Sequence, residues 1–337
     1  MSTPPPPHVS TTAGPPARGT PPGRPIQHHA DFDAIELAAR ARGAGEAISV
    51  VIPARDEQDT VGAVVSTVRD HLVSRVGLVH EVLVVDADSS DDTGAVAAAA
   101  GARVVRQSEV LPHLGSAPGK GEAMWKGLAA ATGSLLVYLD ADVVDIGPHF
   151  VTGLLGPLLH DPTVLLTKAA YDRPFIDANG ARHGSGGRVT ELLARPVLAA
   201  WFPQLAGIVQ PLAGEIAARR SLLEDLPFVR GYGVELAMLI DVARRYGTEA
   251  LAQVDLDERT HDHQDLASLG RMAAELLQVA IARLDADGVE AGDQDQGPPP
   301  GPSTLWQPAR GPTGELTMAG HPIEVTERPP LSQLAAP

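Results

Sequence analysis

From Ala47 onward the chain alternates short β-branched runs with segments of helical spacing, and no other feature narrows the fold as much. Ile48-Ser49-Val50-Val51-Ile52 is an apolar run closed by Pro53, the pattern of a strand buried on both faces. Val61, Val64, Val65, Val68 and Leu72 then recur three and four apart behind Asp59-Thr60, residues able to cap a helix. The cycle repeats. Val82-Leu83-Val84-Val85 precedes Asp91-Asp92-Thr93 and an alanine-rich helix, Val104-Val105 opens a third strand, and Leu135-Leu136-Val137-Tyr138-Leu139 follows a helix over about 122–131. Strands separated by helices pair in parallel, because a parallel neighbour needs a long crossover and a helix supplies it. The expected class is α/β: a Rossmann-like, mostly parallel sheet that binds ligands beyond the carboxyl ends of its strands.

The second half reads as more helical, with helices expected over 189–201, 233–246 and 266–284. Residues 1–30 are rich in Pro, Ser, Thr, Gly and His with little to bury, and are expected to be a disordered tail. Residues 288–303 contain Gly-Pro-Pro-Pro-Gly-Pro and read as a flexible insertion. The organisation expected is thus a tail (1–30), an α/β half (31–180), a helical half (181–287), the insertion (288–303) and a final segment (304–337).

The absence of cysteine rules out disulfides, thiolate zinc sites and a thiol nucleophile, so any metal must sit on oxygen or imidazole. A formal net charge of -16 argues against nucleic acid or an anionic membrane as partner. The tail lacks the apolar stretch of a signal peptide and no run of eighteen apolar residues follows, so a soluble, cytoplasmic protein is expected.

Asp-x-Asp tripeptides begin at Asp31, Asp86, Asp140, Asp255, Asp285 and Asp293, but only Asp140-Ala141-Asp142 directly follows a strongly apolar strand. Two carboxylates at a strand end can hold a hard divalent cation that also meets phosphate oxygens, although two solvated loop aspartates would look alike in isolation. His261-Asp262-His263 follows the apolar run 250–254 and could add an imidazole to that cation. An aspartate pair with a distant histidine suits Mg²⁺ or Mn²⁺ better than structural zinc.

Gly115 to Gly121 imitates a phosphate loop, but the spacing is one residue short and no Ser or Thr follows Lys120. No strand is followed by Gly-x-Gly-x-x-Gly, so a nicotinamide site is unsupported. Lys120 remains as a cation at a helix start. Gly184-Ser185-Gly186-Gly187-Arg188-Val189-Thr190 offers backbone N–H groups, an Arg fork and a hydroxyl to one phosphate, and Gly231-Tyr232-Gly233-Val234-Glu235 offers close backbone approach with one carboxylate.

With these pieces in order, the chain resembles the glucosyl-3-phosphoglycerate synthase family, retaining glycosyltransferases of GT-A fold, over about 32–331. The resemblance rests on Val-Ile-Pro-Ala-Arg-Asp-Glu at 51–57, Gly-Lys-Gly-Glu-Ala at 119–123, Leu-Asp-Ala-Asp at 139–142 and Gly-Gly-Arg-Val-Thr-Glu-Leu at 186–192. Gln-Pro-Leu-Ala-Gly-Glu at 210–215, Leu-Pro-Phe-Val-Arg-Gly-Tyr-Gly-Val-Glu at 226–235 and Glu-Arg-Pro-Pro at 327–330 extend it. It implies transfer of glucose from UDP-glucose to 3-phosphoglycerate in a homodimer, with 31–180 as the nucleotide-sugar half and 181–287 as the acceptor half. Pro53, Ala54, Arg55, Asp56, Glu57, Ala87, Lys120, Asp140 and Ala141 would hold the uridine diphosphate part. Tyr232, Gly233, Val234, Glu235, Arg259 and Gln264 would line the sugar, while Gly187, Arg188, Val189, Thr190 and His263 would hold the acceptor. Asp142 and His261 would bind Mg²⁺ or Mn²⁺, and with Glu235 form the catalytic set.

Two positions depart from the family pattern: Ala87 stands where a Ser is expected beside the nucleotide, and His263 where an Asn is expected beside the acceptor. A mannosyltransferase using GDP-mannose is the nearest alternative. A sugar-phosphate nucleotidyltransferase should carry a Gly-rich, Arg-containing loop after the first strand, where Ala54-Arg55-Asp56-Glu57 stands instead, and a non-catalytic sugar-nucleotide-binding module would bind UDP without turnover.

Overall fold

The computed structural model describes residues 23–176, 182–185, 187–259, 265–286, 303–310 and 316–334. The strands, in chain order, are β1 (Gln27–His28), β2 (Ile48–Ala54), β3 (Glu81–Asp86), β4 (Arg103–Arg106), β5 (Leu135–Tyr138), β6 (Leu166–Ile176) and β7 (Arg182–Ser185). They continue with β8 (Ile216–Arg219), β9 (Phe228–Val229), β10 (Leu251–Glu258), β11 (Ser303–Arg310), β12 (Leu316–Ile323) and β13 (Glu327–Arg328). The central sheet runs β1-β10-β6-β8-β5-β2-β3-β4, with β7 hairpinned onto β6. Its pairings are parallel except at β7 and at β8, which runs against both β5 and β6. The sheet therefore draws strands from both sides of residue 180.

The unbroken apolar runs are explained by burial on both faces. Ile48, Val50 and Ile52 of β2, Val82 and Val84 of β3, and Leu135 and Val137 of β5 belong to one core. The alternate residues Val51, Leu83, Val85, Leu136 and Tyr138 belong to the other. The first core is closed by α1 (Ala34–Ala44), α2 (Val61–Val68) and α5 (His149–His160), with α3 (Thr93–Ala99) beside α2. The second is closed by α4 (Lys120–Ala130), α6 (Arg195–Trp201), α7 (Arg220–Glu224), α8 (Val234–Tyr246) and α9 (Leu266–Ala286). At roughly 1.5–3 kcal/mol for each fully buried large apolar side chain, this double burial is a main source of the sheet's stability.

Three features depart from the expected pattern. The stretch read as tail includes an ordered end: Gln27–His28 adds to the sheet edge beside β10, and the 29–31 turn follows it. Backbone hydrogen bonds along an open edge need no apolar side chains, which is why a polar sequence concealed it. Thr60 begins α2 without capping it; its hydroxyl donates to the Glu57 carboxylate at 3.1 Å instead. The 189–201 helix starts as a wider π turn at Thr190–Ala194 before becoming α-helical.

The C-terminal strap is the other element that positions the site. β13 pairs with β9, and Arg328 reaches back 206 residues to grip Glu122 with two hydrogen bonds of 2.7 and 2.6 Å. The same guanidinium donates to the carbonyls of Leu114 and Gly115, and the Trp125 indole N–H donates to Pro329 O at 3.0 Å.

Candidate active site

A cleft of about 1120 Å³ opens beyond the carboxyl ends of β2, β3, β5 and β10. β2 delivers Pro53, Ala54, Arg55 and Glu57, β3 delivers Ala87, and β5 delivers Asp140, Ala141 and Asp142. Lys120 enters from the first turn of α4 and Arg259 from just past β10. Gly187, Arg188, Val189 and Thr190 also line it, as do Tyr232 and Glu235 at the start of α8.

Three expected residues lie elsewhere. Val234 is buried in the core rather than facing the cleft, because its place in the first turn of α8 turns it inward. Gly233 donates its N–H to Glu275 at 3.2 Å. Asp56 has φ 55° and its Oδ1 accepts from the Ser90 amide, so it ties the β2 loop to the β3 loop instead of lining the cleft. His261, His263 and Gln264 lie outside the described residues.

Glycine sets the position of Lys120. A Cβ at Gly121 would sit 1.7 Å from Val229 O, and one at Gly119 would sit 2.3 Å from Arg230 O. Helix α4 therefore starts pressed against the β9 backbone, and the lysine side chain points along the cleft floor. Its Nζ lies 2.5 Å from Asp140 Oδ1 and 2.9 Å from Glu235 Oε1. Burial works against the ammonium, but those two carboxylates outweigh it and hold the pKa well above the ordinary lysine value.

Arg259 is a second buried cation. One terminal nitrogen lies 2.9 Å from Asp142 Oδ1 and 3.1 Å from Asp140 Oδ2, and the other lies 3.0 Å from Glu215 Oε1. Burial again opposes the charge, and Glu215, with Tyr171, Asp140 and Asp142, more than offsets it. Behind both sits Lys168, fully buried, whose ammonium donates to Ala213 O. Burial draws its pKa down to about 8 despite the nearby Glu235.

Several carboxylates gather around Glu57. Glu57 is half-buried and its pKa is raised first by desolvation and then by the charges of Asp142, Asp91 and Asp140. The Asp142 side chain is 52% exposed while Asp140 is 17% exposed, so Asp142 is the carboxylate open to an incoming cation. A partly exposed carboxylate oxygen of this kind is a ligand suited to Mg²⁺ or Mn²⁺.

Other Asp-x-Asp tripeptides have local duties. Asp33 caps α1 by accepting from the amides of Ile35 and Glu36, and Asp86 accepts from the Ser89 amide. Asp257 accepts from His28 and His29 at 3.1 and 2.8 Å, at the sheet edge. Among the described residues these three form the one His/Asp group with metal-compatible spacing. The His28 Nδ1, however, already accepts from the Ala30 amide, so its Nε2 carries the proton given to Asp257 and the cluster is complete through hydrogen bonds.

Glu215 and Lys168 were not singled out in the sequence. The motif 210–215 was visible, but nothing in it told which end of a strand Glu215 would occupy. Because β8 runs antiparallel, the residue before it arrives at the ligand side, where only residues after parallel strands were sought.

Residues 49–190 match the glycosyl transferase family 2 model. The glucosyl-3-phosphoglycerate synthase of Petrotoga mobilis is 44% identical over 262 residues, 77% of this chain and 81% of that protein. The crystal structure of glucosyl-3-phosphoglycerate synthase from Mycobacterium tuberculosis in complex with Mn²⁺, UDP-glucose and phosphoglyceric acid superposes with a TM-score of 0.77 at 38% identity, covering 93% of this chain and 99% of that one. The crystal structure of mannosyl-3-phosphoglycerate synthase from Rubrobacter xylanophilus superposes with a TM-score of 0.83 at 39% identity, covering 92% of this chain and 97% of that one. With its strand-end aspartates, Lys120 and glycine-bordered α4 in one cleft of a GT-A sheet, the chain belongs to the glucosyl-3-phosphoglycerate synthase family of glycosyltransferases.

Proposed function

We propose that the chain transfers glucose from UDP-glucose to 3-phosphoglycerate with retention at the anomeric carbon. The observation that carries this is one cleft lined by Lys120, Asp140 and Asp142 together with the Gly187–Thr190 turn. The Mn²⁺, UDP-glucose and phosphoglyceric acid of the Mycobacterium tuberculosis complex supply the matching chemistry. Pro53 to Glu57, Ala87, Lys120, Asp140 and Ala141 then serve the nucleotide, with Tyr232, Glu235 and Arg259 at the sugar. Gly187, Arg188 and Thr190 serve the acceptor phosphate, through backbone N–H groups, a guanidinium fork and a hydroxyl.

Departure of UDP builds negative charge on its terminal phosphate, and groups already fixed where that charge appears lower the barrier most. Lys120 is such a group, held in place by two carboxylates. A Mn²⁺ or Mg²⁺ held by Asp142 would add Lewis-acid stabilisation of the same charge. Glu235 is 5% exposed and its carboxylate is already engaged by Lys120, which suits it to orient the sugar rather than attack it. Attack by the acceptor hydroxyl from the face that the diphosphate leaves, with a departing phosphate oxygen taking the hydroxyl proton, gives retention without a covalent enzyme intermediate. A glycosyl adduct on Glu235, trapped and found by mass spectrometry, would overturn this assignment.

The higher TM-score against the mannosyl enzyme favours one second reading, transfer of mannose from GDP-mannose to the same acid. A donor screen on the purified protein separates the two: UDP release from UDP-glucose that depends on 3-phosphoglycerate supports the first, and preference for GDP-mannose the second. We further propose a homodimer working in the cytoplasm. Trp306, Leu316 and Met318 are exposed on the β11–β12 hairpin, an apolar face that a second copy of the chain can cover. No helix among the described residues is long and apolar enough to cross a membrane.

A further inference from the structure

The segment Ala213–Glu215 touches every cation on the cleft floor. Ala213 O accepts from Lys168. Gly214 lies so close to the Lys120–Asp140 pair that a Cβ there would meet Lys120 Nζ at 2.1 Å and Asp140 Oδ1 at 2.2 Å. Glu215 is fully buried, its Oε2 accepts from the Tyr171 hydroxyl at 2.9 Å, and its Oε1 faces Arg259 at 3.0 Å. A carboxylate removed from water in this way is costly unless a cation answers it, and that cation is Arg259.

Arg259 is thus shared between two sets of acids. Its Nη1 looks inward to Glu215 and to the Tyr171 hydroxyl at 3.2 Å. Its Nη2 looks outward to Asp142 and Asp140. Its Nε is buried and has no hydrogen-bond partner among the described residues, so the guanidinium is held by its two ends alone. Asp142 therefore competes with Glu215 for the same positive charge, and Asp142 is the open carboxylate to which the metal is assigned.

We propose that Glu215 is a positioning residue that retains Arg259 on the cleft floor and so leaves Asp142 available to the divalent cation. Without the inner negative charge, the guanidinium that already donates to Asp142 at 2.9 Å is left to Asp142 and Asp140 alone and competes more strongly with the metal for Asp142. The proposal rests on the metal reading given above. It adds a residue that touches neither substrate nor metal, acting only through Arg259.

The test is a titration of Mn²⁺ alone, followed by electron paramagnetic resonance, at protein concentrations high enough to register a weak site. Glu215→Gln keeps the shape and removes the charge. Its Mn²⁺ affinity is expected to fall about tenfold, equivalent to ~1.4 kcal/mol. In an Arg259→Met background the same substitution is expected to leave Mn²⁺ affinity where that background puts it, because the effect travels through the guanidinium. A folded Glu215→Gln protein with unchanged Mn²⁺ affinity overturns the proposal, as does an equal loss in the Arg259→Met background. Should Glu215→Gln fail to fold, Tyr171→Phe removes only the hydroxyl shared by Glu215 and Arg259, and a shift in the same direction supports the proposal while no shift overturns it. Wild-type protein that takes up no Mn²⁺ overturns the metal reading itself. Neither donor nor acceptor is present, so the choice of sugar does not enter.

Discussion

Lys120 and Asp140, 20 residues apart in sequence, meet at 2.5 Å on the cleft floor, with Glu235 completing the lysine's coordination at 2.9 Å. The ammonium is paid for before any donor arrives, so its charge is available to the leaving diphosphate without reorganisation. Lys120→Met should lower kcat by about 10²–10³ while leaving acceptor KM within a few-fold, as for loss of one preorganised charge donor. Steady-state kinetics varying each substrate in turn checks this, and an unchanged kcat would remove Lys120 from the transition state.

Asp142 presents a different case because half of its side chain is open. Asp142→Ala should abolish turnover that added Mn²⁺ does not restore, with the melting temperature hardly changed, since Arg259 keeps its ion pairs with Glu215 and Asp140 and its hydrogen bond to the Tyr171 hydroxyl. A variant that stays active, or that unfolds, contradicts the role given to this carboxylate.

Arg188 lines the same cleft as Lys120. Arg188→Ala should raise acceptor KM by about 10-fold or more, the loss of a charge-assisted contact worth ~1.5–3 kcal/mol, and leave donor KM in place. A rise confined to donor KM would mean that the acceptor subsite has been put in the wrong part of the cleft.

Lys168 gives a pH signature. Its folded pKa is about 8, below the ordinary value of 10.5. Between those values the unfolded chain holds the proton and the folded chain does not, so stability rises with pH across about pH 8 to 10.5. Below pH 8 both states are protonated and the full burial penalty remains. Lys168→Met should therefore gain melting temperature relative to wild type most at pH 7, with the difference shrinking toward pH 10. Thermal melts of both proteins across that range decide it, and a constant difference would place the lysine's pKa near its ordinary value.

Arg328→Ala would leave the Glu122 carboxylate, which is 0% exposed, with only Arg230 at 3.8 Å to answer its charge. Removing one member of such a pair costs about 3–5 kcal/mol, and chemical denaturation should show a loss of that size. Donor KM should rise as well, because the 114–115 carbonyls that Arg328 also holds precede Lys120. A stable variant with normal donor KM would show that the strap is dispensable.

Much of the sheet was legible because burial on both faces writes itself as unbroken apolar runs such as Val82 to Val85. Asp140 and Asp142 could be separated from the other Asp-x-Asp tripeptides only because a strand pattern leads straight into them. The same logic failed for Glu215, which precedes its strand. Strand direction depends on which neighbours pair, and no local periodicity records that. Val234 was assigned to the sugar by its neighbours in a motif, whereas the phase of α8 turns it into the core. The β1 edge and the Arg328–Glu122 pair escaped for a related reason: each is made by residues far apart in the chain, through contacts that composition does not register.

The link from Arg328 to Glu122 has a consequence for biosynthesis. During translation the segment that becomes α4 emerges long before its partner, which is made 206 positions later. Until then Glu122 has only the more distant Arg230, at 3.8 Å, to answer its charge, and the turn that presents Lys120 lacks the β9–β13 pairing behind it. The nascent protein can assemble most of its sheet on the ribosome, but the turn that presents Lys120 gains its full support only once the residue 206 positions beyond Glu122 has been made.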